Sequence, residues 1–179
     1  LMMNYKFYTI AICLLLILGS CKSSYKSYRD NVVSLYEGQA HLMNGTYFID
    51  PYYHNDEYVE LQELFDIEKT NRFLEKLKLE FLSDEKLKIT YSNGLETKTK
   101  IVKGEMSKGG FQIDQDFFVF GIPWLLFSYE DERKIFYLGN DDNLIYQHYY
   151  KGSGHFFGRI NTKKINEIVK FDRQLPKRP

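Results

Sequence analysis

Hydrophobic positions along the chain fall into three regimes. From Phe7 to Leu18, about twelve residues run without a charge. Lys22–Arg29, "KSSYKSYR", is polar and lacks apolar periodicity. Beyond "NGTYFI", residues 44–49, short apolar patterns return with a changing period. Tyr58, Leu61, Leu64 and Phe65 fall at helical spacing, with Asn55 or Asp56 available as a cap, and predict a short helix over about 57–66. From Lys76 the period becomes two. "KLKLEF" sets Leu77, Leu79 and Phe81 on one face against Lys76, Lys78 and Glu80 on the other. A turn at Ser83-Asp84-Glu85 leads into "KLKITY", with Leu87, Ile89 and Tyr91 inward, and Asn93-Gly94 is a hairpin signal. Further strands are predicted at about 96–103, 110–114, 117–121, 124–129, 134–138, 144–150 and 155–160. Turns are expected at Gly109-Gly110, Glu130-Asp131-Glu132, Gly139–Asp142 and Gly152-Ser153-Gly154. Ile165, Ile168 and Val169 stand at i, i+3, i+4 and predict a second short helix near the C-terminus. The expected fold is therefore mainly β: an antiparallel meander of about eight to nine strands, closed as a barrel or packed as a sandwich, with a short helix at each end.

The opening apolar run is shorter than the ~20 residues that span a bilayer as a helix, and it suits the apolar core of an export signal. It ends on Leu18-Gly19-Ser20-Cys21. A branched apolar residue, two small residues and a cysteine resemble the lipobox of bacterial lipoproteins. The resemblance implies cleavage before Cys21 and attachment of a diacylglyceryl group to its thiol. It divides the chain into a signal peptide over 1–20, an acylated cysteine and tether over 21–43, a β-rich domain over 44–174 and a basic tail over 175–179. Residue 22 is Lys rather than the Asp that favours inner-membrane retention in that family, which implies an outer-membrane address. Cys13 would leave with the signal and Cys21 would carry lipid, so the mature domain would hold no thiol for catalysis or disulfides.

A second resemblance lies in the mature domain. Gly45-Thr46-Tyr47, a helix, meandering strands and a late helix are similar to the lipocalin-like barrels. Members of that group often begin with a Gly-x-Trp whose ring packs on an arginine near the last strand. The resemblance implies that Tyr47 fills the aromatic place and that Arg159 supplies the cation; a core tyrosine and a solvated arginine are the ordinary alternative.

Charge adds little. Lys+Arg and Asp+Glu are both 24, so nothing electrostatic suggests nucleic acid. The charge is uneven, however: residues 50–68 hold seven acidic groups, and residues 159–178 hold seven basic ones. The basic end could meet anionic head groups, the acidic segment, or solvent alone. The most apolar mature stretch is "FFVFGIPWLLF", 117–127. Phe118, Phe120, Trp124 and Leu126 are candidates for the wall of an apolar cavity or a partner patch, and a buried strand pair explains them equally. "KGSGHFFG", 151–158, misses the spacing of a dinucleotide fingerprint by one residue and reads as a hairpin turn. His148 and His155 could face each other across that hairpin, but zinc usually takes three or four ligands. Asp114 and Asp116 share parity in one strand without a recognisable partner, and Asp141-Asp142 sits in a turn. No H-E-x-x-H or G-x-S-x-G occurs. The sequence thus predicts no catalytic residue, metal or cofactor. It points to a membrane-anchored binding or scaffolding domain for a small apolar ligand, with docking of an envelope protein or glycan as the alternative and a hydrolase of envelope material as a third reading.

Overall fold

The computed structural model describes residues 30–50, 59–67, 75–92, 96–113, 117–122, 126–156 and 159–175. Strands dominate: β1 Val32–Val33, β2 Gly45–Phe48, β3 Lys76–Ser83, β4 Lys86–Ser92, β5 Thr97–Ser107, β6 Gly110–Ile113, β7 Phe117–Ile122, β8 Leu126–Gly139, β9 Leu144–Phe156 and β10 Arg159–Phe171. The helical parts described are a 3-10 turn at Ala40–Met43 and a single α-turn, α1, at Leu61–Leu64. All strands join one antiparallel sheet in the order β10-β9-β8-β6-β5-β4-β3-β2. The far edge of β8 is shared in tandem by β7, β6 and β1.

β3 and β4 follow the period-two pattern directly. Leu79 pairs with Ile89 and Phe81 with Leu87, so four apolar residues share one face. A register shift between Phe81 and Ser83 breaks the ladder, and there the Phe81 amide donates to Asn44 Oδ1 at 2.6 Å. β5 serves two neighbours: Thr97–Lys103 pairs with β4, and Gly104–Ser107 with β6. Gly104 stands where one partner gives way to the other. A Cβ there would lie 2.3 Å from the Gln112 carbonyl oxygen and 2.6 Å from Phe111, so a glycine is what lets the sheet turn this corner.

One face of the sheet gathers the core. Met43, Tyr47, Leu61, Leu77, Leu87, Phe111, Phe136 and Phe171 are all fully buried within it. Phe136 stacks against Phe65, 5.2 Å between centroids, and tilts against Tyr146 at the same distance. The opposite face carries a smaller cluster of Ile135, Tyr137 and Ile145 with Val32 and Ile168. Leu35, Ala40 and Met43 already belong to the main core, so the folded part starts upstream of residue 44.

Four expectations are not met. The C-terminal helix is absent: residues 159–171 form β10, paired with β9 along their whole length. Val169 and Phe171 enter the main core while Ile168 packs on the far side. A strand with apolar residues on both faces produces the i, i+3, i+4 spacing of a helix. Glu130-Asp131-Glu132 is no turn but the middle of β8, and Gly152-Ser153-Gly154 lies inside β9. The helix expected over 57–66 is reduced, in its described part, to α1, whose N-cap Glu60 makes no side-chain capping bond. Asn93-Gly94 lies outside the described residues.

The segment just past β10 reaches β2. Tyr47 in β2 forms an isolated bridge with Arg173, just past β10. The Phe48 amide donates to the Asp172 carbonyl at 3.0 Å, and the Gln174 amide to the Thr46 carbonyl at 2.7 Å.

Candidate functional site

The residues around Arg173 form a dense polar cluster. One guanidinium nitrogen donates to the Leu42 carbonyl at 2.8 Å and to the Asn44 carbonyl at 2.6 Å. Another lies 3.6 Å from Asp142, and the guanidinium carbon sits 5.5 Å from the centre of the Tyr47 ring. The Tyr47 hydroxyl donates to the Met43 carbonyl at 2.8 Å. Burial raises the Tyr47 phenol, with the Arg173 charge working against it. Gly45 leaves room for this arrangement, since a Cβ there would come 2.6 Å from Arg173 Nε. The cation beside Tyr47 and Gly45 is Arg173. Arg159 stands at the opposite end of β10, paired with Phe156. These contacts tie the segment just past β10 to β2 and to the Ala40–Met43 turn, while Arg173 Nε is buried without a hydrogen-bond partner among the described residues.

A second cluster lies where the core ends. Lys134, His148 and Glu167 are in register across β8, β9 and β10. His148 Nε2 is 2.9 Å from Glu132 Oε1, and its Nδ1 is 3.5 Å from Glu167 Oε2. Lys134 Nζ reaches the same Glu132 oxygen at 3.2 Å. Burial tends to raise the Glu132 carboxyl, but the hydrogen bonds and charges of Lys134 and His148 outweigh it and hold it below the ordinary range. Beneath, burial first and then the Glu132 and Glu167 charges push the Tyr146 phenol upward. The network alternates acidic and basic side chains across the three strands. Among the described residues no group of three or more His, Cys, Asp or Glu is arranged to hold a metal ion.

On the opposite face, Asp131 is buried, 1 % exposed, and held by Arg133 through Nε at 2.9 Å and Nη2 at 3.1 Å. This pairing explains why an acidic triplet can run through a strand.

The other predicted positions are scattered. Phe118 and Phe120 fall in β7, and Leu126 opens β8, where it pairs with Ile122 and Phe156. Their side chains and Trp124 lie outside the described residues, as do Cys21, Asp114 and Asp116. His148 and His155 sit seven positions apart in one continuous strand, at positions of opposite parity, so no hairpin brings them face to face. Asp141 and Asp142 are drawn to the basic end of the chain: Lys170 lies 2.7 Å from Asp141, and Arg173 meets Asp142. The acidic 50–68 segment instead offers Asp66 to Lys100 at 3.7 Å.

The sequence matches no protein-family model and no curated protein. No solved structure matches the fold.

Proposed function

We propose that this is a lipid-anchored protein of the bacterial envelope whose β-domain works through its outer surface rather than by enclosing a ligand. The lipobox-like Leu18-Gly19-Ser20-Cys21 supports the anchor, and Lys22 supports the outer membrane as its address. The observation that carries the surface reading is the filled core. Leu77, Leu79, Phe81 and Ile89 are buried against one another, Tyr91 packs on them, and the Phe65–Phe136–Tyr146 stack occupies the same interior. A lipocalin-like barrel is the finer form of the fold we favour, on the strength of the Tyr47–Arg173 bridge between β2 and the segment just past β10. In such a barrel of eight strands the interior is just wide enough for side chains. Its partner would be an envelope protein or glycan.

Two measurements test this. Cys21→Ser should abolish metabolic labelling by a fatty acid and move the protein from the membrane to the soluble fraction. Retained labelling and retained sedimentation would remove the anchor from the proposal. Titration of the full chain in detergent micelles with a fluorescent fatty acid should give only the linear partitioning of micelles alone. Saturable one-to-one binding would overturn the filled interior and return the small apolar ligand as the leading reading.

A further inference from the structure

Among the described residues, a concavity lies away from both charged clusters. It is a cleft of about 650 Å³ between the segment following β1 and the turn joining β5 to β6. Ser34, Tyr36 and Glu37 line one wall, and Met106, Ser107 and Lys108 the other. Sites that hold small molecules are usually of this size, ~300–1,000 Å³.

The cleft is built on fixed backbone. The Leu35 amide donates to the Gly109 carbonyl at 3.1 Å, which ties the two walls together. The Tyr36 amide donates to Gln39 Oε1 at 3.0 Å, and the Gly38 amide to Asp84 Oδ2. The His41 ring meets the Gly38 carbonyl at 2.9 Å. Lys108 adopts φ +52° in the turn, followed by Gly109 at φ +87°. Leu35 is itself buried in the core directly beneath. On this framework Tyr36 is 71 % exposed, the most exposed of the large hydrophobic residues described. A rigid turn thus holds an aromatic ring out in water at the lip of a cleft.

Chemistry narrows the occupant. The lining carries one cation and one carboxylate, Lys108 and Glu37, so it has no net charge to draw an anion. An apolar chain would have to strip water from both charges and from two serine hydroxyls, which is unfavourable without replacement hydrogen bonds. A sugar ring has the opposite character. Its C–H face stacks on an exposed aromatic, and its hydroxyls donate to a carboxylate and accept from an ammonium or a serine. Position fits as well, on the reading of Cys21 as the anchor. Val32 follows Cys21 by eleven residues, which reach at most about 40 Å, so the cleft stays close to the membrane surface.

We propose that this cleft binds a neutral polysaccharide of the envelope, with Tyr36 as the stacking platform for one sugar ring and Glu37, Lys108, Ser34 and Ser107 as its hydroxyl partners. This rests on the surface-binding reading above and names the class of ligand. The test is titration of the full chain, in detergent micelles, with neutral oligosaccharides built from N-acetylglucosamine, glucose or mannose, followed by calorimetry and amide chemical shifts. At least one should bind saturably, with shifts centred on residues 34–37 and 106–109. Tyr36→Ala should weaken that binding about tenfold, and Tyr36→Phe should stay within about threefold, because the ring and not the hydroxyl does the stacking. Both variants should keep the wild-type melting temperature, since the side chain is exposed. The proposal is overturned if none of the three oligosaccharides binds, if Tyr36→Ala binds as well as wild type, or if shifts map elsewhere. Binding only to anionic phospholipid vesicles would also overturn it. These outcomes do not depend on membrane fractionation, so loss of the cleft and loss of the anchor are separately visible.

Discussion

Arg173→Ala should destabilise the domain by about 3 kcal/mol and lower its melting temperature by roughly 10 °C, because it removes charge-assisted donors from two backbone carbonyls at once. The carbonyls are those of Leu42 and Asn44, 2.8 and 2.6 Å away. The ion pair with Asp142 adds little: it spans 3.6 Å and its carboxylate is 63 % exposed. The position over the Tyr47 ring contributes on the order of 1 kcal/mol more. Arg173→Lys should recover less than half of the loss, since a compact ammonium on a flexible stem cannot lay a planar group over the Tyr47 ring while one nitrogen reaches both carbonyls. Asp142→Ala should stay within about 1 kcal/mol of wild type. Urea unfolding of the three variants separates the contributions. If Arg173→Ala unfolds at the wild-type midpoint, the bridge between β2 and the segment just past β10 is not what holds the sheet together.

Gly104→Ala should be comparably severe, at about 3 kcal/mol, for a different reason. The added carbon would stand 2.3 Å from the Gln112 carbonyl oxygen, and this obstacle is backbone held within the β5–β6 ladder. Phe111, fully buried, blocks the alternative direction. Relief therefore requires β5 and β6 to separate just where β5 changes partner. Gly38→Ala is the matched control. Nothing lies within 4 Å of a Cβ at Gly38, so its φ of +84° is the sole source of strain, worth about 1 kcal/mol. Thermal unfolding should rank Gly104→Ala well below Gly38→Ala. Equal melting points would show that the β5 corner yields freely.

Much of the sheet can be read from alternation alone. Leu77, Leu79 and Phe81, with Leu87 and Ile89 opposite, are inward in both the pattern and the structure, because one face is buried and the other wet. The long strands were illegible where both faces carry something to bury. In β8, Ile135 and Phe136 are adjacent and both fully buried, on opposite sides of the sheet. The same two-sidedness gave β10 its helical spacing. Acidic and glycine-rich triplets carry strong local turn signals, and these lose to a ladder that runs unbroken from Leu126↔Phe156 to Leu138↔Leu144. The resemblance names Arg159 as the partner of Tyr47, whereas the arginine found over the ring is Arg173. Which arginine arrives depends on the length of β10 and on its pairing with β9, and neither is encoded near Tyr47. The cleft was invisible for a related reason: its walls, residues 34–37 and 106–109, are distant in sequence and share no motif.

The contact between Arg173 and Asn44 spans 129 residues of chain. Bringing such distant points together carries a loop-closure entropy of roughly 4 kcal/mol, to be recovered only when the contact forms. Folding of this domain should accordingly be slow for its size and governed by its last segment. A chain emerging from its N-terminus during synthesis would hold β2 with one neighbour only until residues 172–174 appear. Those few residues then act as a completion signal: a chain cut short before them retains nearly all its hydrophobic core and still leaves an open strand edge, which is the form most prone to pair with another copy.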